Sequence, residues 1–127
     1  MSIEWDGLNR RRFIRTKHPF TIHIYSQQEE AISTYTEDIS EGGVKISIRE
    51  QLPIARVVNL EIYLEAKPII CKGKIIWTGT RKSDYLESAV FFDTGIEFSE
   101  LGENERIVIR NRVEELEKER KSKEEKK

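Results

Sequence analysis

Apolar and polar residues alternate along most of the chain between residues 20 and 98. The alternation is clearest in four segments, where almost every second side chain is apolar: 20–25, 44–49, 58–65 and 89–98. A period of two is typical of β-strands that bury one face and expose the other. These four segments are therefore predicted strands, with the alternating apolar side chains of each on the core side.

Two further segments are interpreted as strands although their alternation is weaker. Residues 31–37 are rich in β-forming residues but only weakly apolar, a pattern typical of an edge or rim strand. Residues 69–78 carry Gly73 among the apolar positions of one face, which indicates a bend or a close backbone approach. Six strands with short connections and no helix between them predict a mainly β fold, as a six-stranded antiparallel barrel or a strongly curled sheet.

The pattern becomes helical after residue 98. Apolar residues then recur at spacings that place them on one face of a helix: Leu101, Ile109, Val113 and Leu116. Either Ser99 or Gly102 is a suitable first residue for this helix. Because no apolar residue follows Glu117, the helix is expected to continue into solvent, supported by opposite charges at i and i+4, and then to fray.

Length and composition limit the class of protein. The 127 residues suit one domain, divided into an arm at 1–17, a barrel at 18–99, and a helix with a charged tail at 100–127. The formal charge of -1 argues against a general nucleic-acid binder. A single cysteine, Cys71, excludes an intrachain disulfide and a thiolate metal cluster. With no signal sequence and no membrane-length apolar stretch, we expect a soluble cytoplasmic protein.

Evidence for catalysis in the sequence is weak. The chain has no metalloprotease, hydrolase or P-loop motif. His18 and His23 are interpreted as ordinary solvent-facing residues, and Cys71 as a small buried apolar group. Trp77 and the aromatic pair at 91–92 are expected in the core and not on a ligand-binding surface. We therefore expect a binding protein and no enzyme.

A cluster of basic residues precedes the first predicted strand, which begins at residue 20. It consists of Arg10, Arg11, Arg12, Arg15 and Lys17. The planar guanidinium group binds phosphate oxygens, or the O6/N7 edge of guanine, through two parallel hydrogen bonds. Taken alone, the cluster is better explained as a solvated basic leader or a loose RNA-binding arm than as a clamp for a compact anion.

The sequence DISEGG at residues 38–43 offers complementary chemistry. The carboxylate of Asp38 can accept hydrogen bonds from the N1–H and N2–H₂ edge of guanine, and the hydroxyl of Ser40 can join that contact or hold the turn. Gly43 permits a close backbone approach or a positive φ. Taken alone, this segment is explained by a structural turn. Glu41 is an additional acid within it. Together, the basic cluster and this turn describe a pocket for a guanine-nucleotide diester.

These two segments resemble the signature of a known family. The RxxxR and [DN]xSxxG motifs of PilZ domains are matched, in that order, by Arg11, Arg15, Asp38, Ser40 and Gly43. Residues 71–77 (CKGKIIW) and 95–98 (GIEF) are similar to two strands of the same family. The resemblance covers residues 9–116 approximately, which is most of the chain.

The resemblance implies a split, six-stranded antiparallel β-barrel with a C-terminal helix, which binds the bacterial second messenger cyclic di-GMP. It implies that Arg11 and Arg15 hold phosphate and guanine, and that Asp38 and Ser40 contact a guanine. The residue just before RxxxR is associated in the family with binding of one ligand or a stacked pair. Here that residue is Arg10, which favours a pair.

The resulting hypothesis is a receptor whose N-terminal arginine segment becomes ordered on the ligand and which signals through a partner protein. We expect a monomer or weak dimer that binds neither DNA nor RNA and does not insert into membranes. Two alternatives remain at this point. One is a PilZ-like adaptor that binds proteins but no nucleotide, and the other is a small β-barrel that binds single-stranded nucleic acid through its arginine arm.

Overall fold

The computed structural model describes residues 13–26, 31–82 and 90–125. In chain order the elements are β1 (Arg15–Thr16), β2 (Thr21–Tyr25), β3 (Ala31–Ser40), β4 (Gly43–Ile48), β5 (Val57–Tyr63), β6 (Ile69–Lys82), β7 (Val90–Glu100) and α1 (Glu103–Glu125). All strand pairs are antiparallel, in the order β3-β2-β5-β6-β7-β4. Strand β4 pairs back onto β3, which closes a six-stranded barrel and confirms the predicted fold class. The short strand β1 adds to β3 outside the barrel.

The period of two places the core side chains as the sequence predicts. In β2, β4 and β5 the alternating apolar residues are buried and the residues between them are not. The largest fully buried side chains come from strands all round the barrel and include Ile22, Ile24, Ile46, Leu60, Ile62, Ile75 and Ile96. Burial of this apolar surface, removed from water on the inside of a closed sheet, is the main stabilising term of the fold.

Strand β3 is longer than the sequence indicates. Residues 31–35 pair with β2 alone and are largely exposed, as predicted for an edge or rim strand at 31–37, whereas β3 continues to Ser40 and has β4 on one side and β1 on the other at its C-terminal end. Its weak apolar pattern has a polar cause. The buried hydroxyl of Thr36 accepts a hydrogen bond from the Phe20 N–H and donates one to the His18 carbonyl oxygen. Part of the inner face of β3 is therefore polar and still fully hydrogen-bonded.

Three aromatic residues of β6 and β7, Trp77, Phe91 and Phe92, do not belong to the core, unlike Phe98 of β7. Trp77 and the pair at 91–92 are only half-buried, so the prediction of core positions for them is wrong. Strand β5 pairs with β6 only from Ile69 to Lys74, and the β6 register shifts between Ile75 and Trp77. Beyond that shift, β6 and β7 continue past the part of the sheet that β5 covers, with β4 still paired to β7 as far as Phe92.

Helix α1 packs one narrow face on the barrel. Gly102 directly precedes the helix, and its carbonyl oxygen accepts the first helical hydrogen bond, from the Arg106 N–H at 2.9 Å. Ile109 and Val113 are fully buried, as their spacing predicts. The C-terminal half carries ion pairs along its own surface, such as Arg120–Glu124 at 2.7 Å. Among the described residues, no helix combines the length and the apolarity needed to cross a membrane.

Candidate ligand-binding site

Pairing of β1 with β3 brings the two sequence motifs together. Arg15 lies opposite Ser40 across the strand pair, although the two residues are 25 positions apart in sequence. From this position the Arg15 Nη1 donates a hydrogen bond of 3.1 Å to the Asp38 Oδ2. The Asp38 side chain is 7% exposed, whereas that of Arg15 is 30% exposed. The carboxylate therefore fixes the guanidinium group while part of that group still faces solvent.

Ser40 stabilises the turn that follows β3. Its hydroxyl oxygen accepts a hydrogen bond of 3.1 Å from the Gly42 N–H, and the residue is 1% exposed. This is a local side-chain to backbone bond of the kind that Ser forms in tight turns. Of the two roles that the sequence allows for this hydroxyl, holding the turn is the one that the structure displays.

The turn itself is shorter than the six residues of DISEGG. Asp38 and Ser40 belong to β3, Gly43 opens β4 opposite Ser40, and only residues 41–42 form the loop. A two-residue loop with glycine in second position is a favoured way to join antiparallel strands. Asp38 is therefore held in a strand, paired with Lys45 of β4 and followed directly by the two residues that pair with β1, and not by a flexible loop.

Glu41 connects this turn to α1, a role that the sequence analysis did not find. The residue is 9% exposed, and its carboxylate accepts hydrogen bonds from Arg110 Nε at 2.6 Å and Nη2 at 3.4 Å. The hydrogen bond that Arg110 donates to Glu41, together with the negative charge of Glu41, raises the pKa of Arg110 above its ordinary value. Arg106 donates to the Glu41 carbonyl oxygen at 3.4 Å. Two arginines at i and i+4, facing the same side of a predicted helix, are the sequence signal for such a contact.

Two of the predicted site residues, Arg10 and Arg11, lie outside the described residues. Arg12 also lies outside them, so Arg15 and Lys17 are the members of the basic cluster that the structure describes. A groove of about 740 Å³ adjoins Arg15, between residues 15–18 and the C-terminal half of α1. The site thus combines a carboxylate-held arginine with an adjacent groove of the size that small-molecule ligands occupy.

Other reactive side chains in the described part of the chain do not form a second site. Burial, with a smaller effect of the charge on Glu105, raises the pKa of the Cys71 thiol to about 12. His18 is exposed, and His23 is half-buried with its Nδ1 at 3.8 Å from Glu61 Oε1. No group of three His, Cys, Asp or Glu residues with the geometry of a metal site occurs among the described residues.

Comparison with known proteins agrees with this architecture. The family model for the PilZ domain matches residues 9–115, which confirms the resemblance. No curated protein sequence matches the chain significantly.

Solved structures with a similar fold include three PilZ proteins. The PilZ domain of Escherichia coli YcgR, solved with c-di-GMP, has a TM-score of 0.72 and 16% identity, with 94% of this chain and 100% of that chain covered. The K. pneumonia MrkH–c-di-GMP complex has a TM-score of 0.72 and 19% identity, with 91% and 56% covered. The Bacillus subtilis inhibitor of motility, MotI, has a TM-score of 0.67 and 20% identity, with 86% and 51% covered. The chain spans about half the length of MotI and MrkH, and at these identities the similarity concerns the fold.

Proposed function

Because this chain belongs to the PilZ domain family, we propose that it is a receptor for cyclic di-GMP and not an enzyme. The observation that carries the proposal is the contact between Arg15 and Asp38, which come from the two motifs of the family and lie 3.1 Å apart. A guanidinium group and a carboxylate side by side offer donors for phosphate or the Hoogsteen edge of guanine and an acceptor for its N1–H and N2–H₂ edge. Cyclic di-GMP presents both phosphodiesters and guanines.

The proposed roles follow from the positions of the side chains. Arg15 contacts a phosphate or guanine with the N–H groups that do not face Asp38. Asp38 accepts from guanine, and Ser40 keeps the carboxylate in place by holding the adjacent loop. Gly43 starts the neighbouring strand directly beside these residues. Arg10 and Arg11 are assigned to the same site by their place in and beside the RxxxR motif, since both lie outside the described residues.

The proposed mechanism is ordering of the arm by the ligand. Residues 10–17 carry four arginines and one lysine, whose like charges repel each other. A ligand with two phosphodiesters, and hence two negative charges, lowers that repulsion and adds contacts to β3. The folded arm would then present a new surface to a partner protein, with the receptor itself a monomer or weak dimer that binds neither DNA nor RNA.

Isothermal titration calorimetry with cyclic di-GMP tests the proposal, with GTP and an RNA oligomer as competing ligands. We expect selective binding of cyclic di-GMP and, for Arg15→Ala, a loss of about 10- to 100-fold in affinity, the size of one charge-assisted contact. Arg11→Ala should show a loss of the same order. The matched control is Arg49→Ala, because Arg49 follows β4 at the end opposite Gly43. If the folded protein does not bind cyclic di-GMP, or binds the RNA oligomer more tightly, the proposal is wrong.

A further inference from the structure

The groove beside Arg15 is formed by two separate parts of the chain. One wall consists of residues 15–18, and the other comes from the C-terminal half of α1, with Leu116, Glu117, Glu119, Arg120 and Lys123. The residues of the acidic turn, at 38–43, do not line it. The groove therefore lies next to the site described above and shares Arg15 with it.

The charge of the groove suits an anion. Four basic side chains line it against two acidic ones, which leaves a net formal charge of +2 with His18 neutral. Arg120 is already engaged, because its Nε donates to Glu117 at 3.0 Å and its Nη1 to Glu124 at 2.7 Å. Arg15 is engaged by Asp38 in the same way, so the uncompensated positive charge comes largely from Lys17 and Lys123.

Lys17 and Lys123 supply this charge from opposite walls. Both side chains are exposed, and neither forms an ion pair with any residue that the structure describes. Two ammonium groups that face one groove repel each other, and an anion placed between them removes the repulsion and gains attraction from both. Lysine ammonium groups are common ligands of phosphate.

Arg15 connects the groove with the acidic turn. Only its Nη1 is directed to Asp38, and a guanidinium group carries five N–H donors, so donors remain for the groove side. We propose that one phosphodiester of cyclic di-GMP binds in this groove through Lys17 and Lys123, while Arg15 and the turn hold the rest of the same molecule. This inference rests on the proposed function and extends it, since it makes the C-terminal half of α1 a ligand-contacting element.

Substitution of the two lysines tests the inference by calorimetry with cyclic di-GMP. Lys17→Gln and Lys123→Gln should each lower the affinity about tenfold, the effect of one phosphate contact at a partly exposed site. The matched control is Lys121→Gln, because Lys121 is an exposed lysine of the same helix that does not line the groove. Glu119→Gln should act in the opposite direction and raise the affinity about two- to fivefold, since it removes a negative charge from the wall.

A second measurement separates contact from an indirect effect. Hydrogen exchange of residues 116–123 should slow when the wild-type protein is saturated with cyclic di-GMP, and this protection should disappear in Lys123→Gln. If the wild-type protein binds and Arg15→Ala does not, but both lysine variants bind as tightly as the Lys121→Gln control, the groove inference is wrong and the receptor function stands. If the wild-type protein does not bind cyclic di-GMP at all, both are wrong.

Discussion

Gly73 is a position at which one added methyl group should measurably destabilise the barrel. A Cβ atom at this position would lie 2.4 Å from the Ile96 Cγ2 and 2.9 Å from the Leu60 Cδ1. Carbon atoms in contact are normally about 3.5–4.0 Å apart, so Ile96 would have to move by more than 1 Å. Both neighbours are 0% exposed and lie in a closed barrel, which leaves them no solvent-side space to move into.

The expected cost of Gly73→Ala follows from two opposing terms. Overpacking of a core costs about 1–3 kcal/mol, and two short contacts favour the upper part of that range. The lower entropy of the unfolded chain returns about 0.4–1 kcal/mol. The free energy of unfolding should therefore fall by about 2 kcal/mol, which for 127 residues lowers Tm by about 7 °C.

Urea unfolding followed by circular dichroism measures this change, with an unaltered m-value as the sign that the unfolded state is the same. Gly79→Ala is the matched control, because its Cβ would meet only the half-buried Trp77 indole, at 3.1 Å, which can move. In a double-mutant cycle, Ile96→Ala should cost at least about 1 kcal/mol less in the Gly73→Ala background than alone, since the new methyl fills part of the cavity. Wild-type stability of Gly73→Ala, or strict additivity in the cycle, would refute the reasoning.

Three further predictions concern backbone strain, proton linkage and the contact between turn and helix. Ala55 has a φ of 76°, so Ala55→Gly should raise the free energy of unfolding by about 0.5–1 kcal/mol, whereas Ala31→Gly in β3 should lower it. The folded-state pKa of Cys71 is raised to about 12 from 9.0, so its contribution to stability is complete below pH 9.0 and is lost as the pH rises towards 12. Unfolding at pH 10.5 should therefore be easier by about 2 kcal/mol through this group, and Cys71→Val should lack that part of the pH dependence. Glu41→Gln removes the negative charge that holds Arg110, so the barrel should stay folded while hydrogen exchange in the first turns of α1 becomes faster. Glu50→Gln, which changes an exposed acid, should leave the exchange of α1 unchanged.

The barrel could be predicted from the sequence because one simple rule governs most of it. Alternating burial in β2, β4 and β5 depends only on local strand geometry and on having a single core, and both are visible in the periodicity. Gly73 was also informative, since a glycine on the buried face of a strand requires a close neighbour, and that neighbour is Ile96.

The errors arose where burial depends on which strands become neighbours. The sequence of 31–37 contains no sign that Thr36 hydrogen-bonds to the backbone of residues 18 and 20, or that the strand continues to Ser40 between β1 and β4. Likewise, the alternation of residues in β6 continues past Lys74, but the pairing of β6 with β5 ends there, and Trp77 therefore remains half-buried. Pairing partners are set by the tertiary fold, and periodicity carries no information about them.

The polar residues of DISEGG are more numerous than a hairpin requires because they connect three parts of the molecule. An Asp-Gly loop would reverse the chain equally well. Here Asp38 holds Arg15 of the arm, Ser40 holds the loop, and Glu41 holds Arg110 of α1, so the arm is attached to the end of β3 and the helix to the loop that follows it. The two walls of the groove beside Arg15 are these same two elements. A change in the contact between Arg15 and Asp38 therefore acts next to the loop whose Glu41 binds Arg110 of α1.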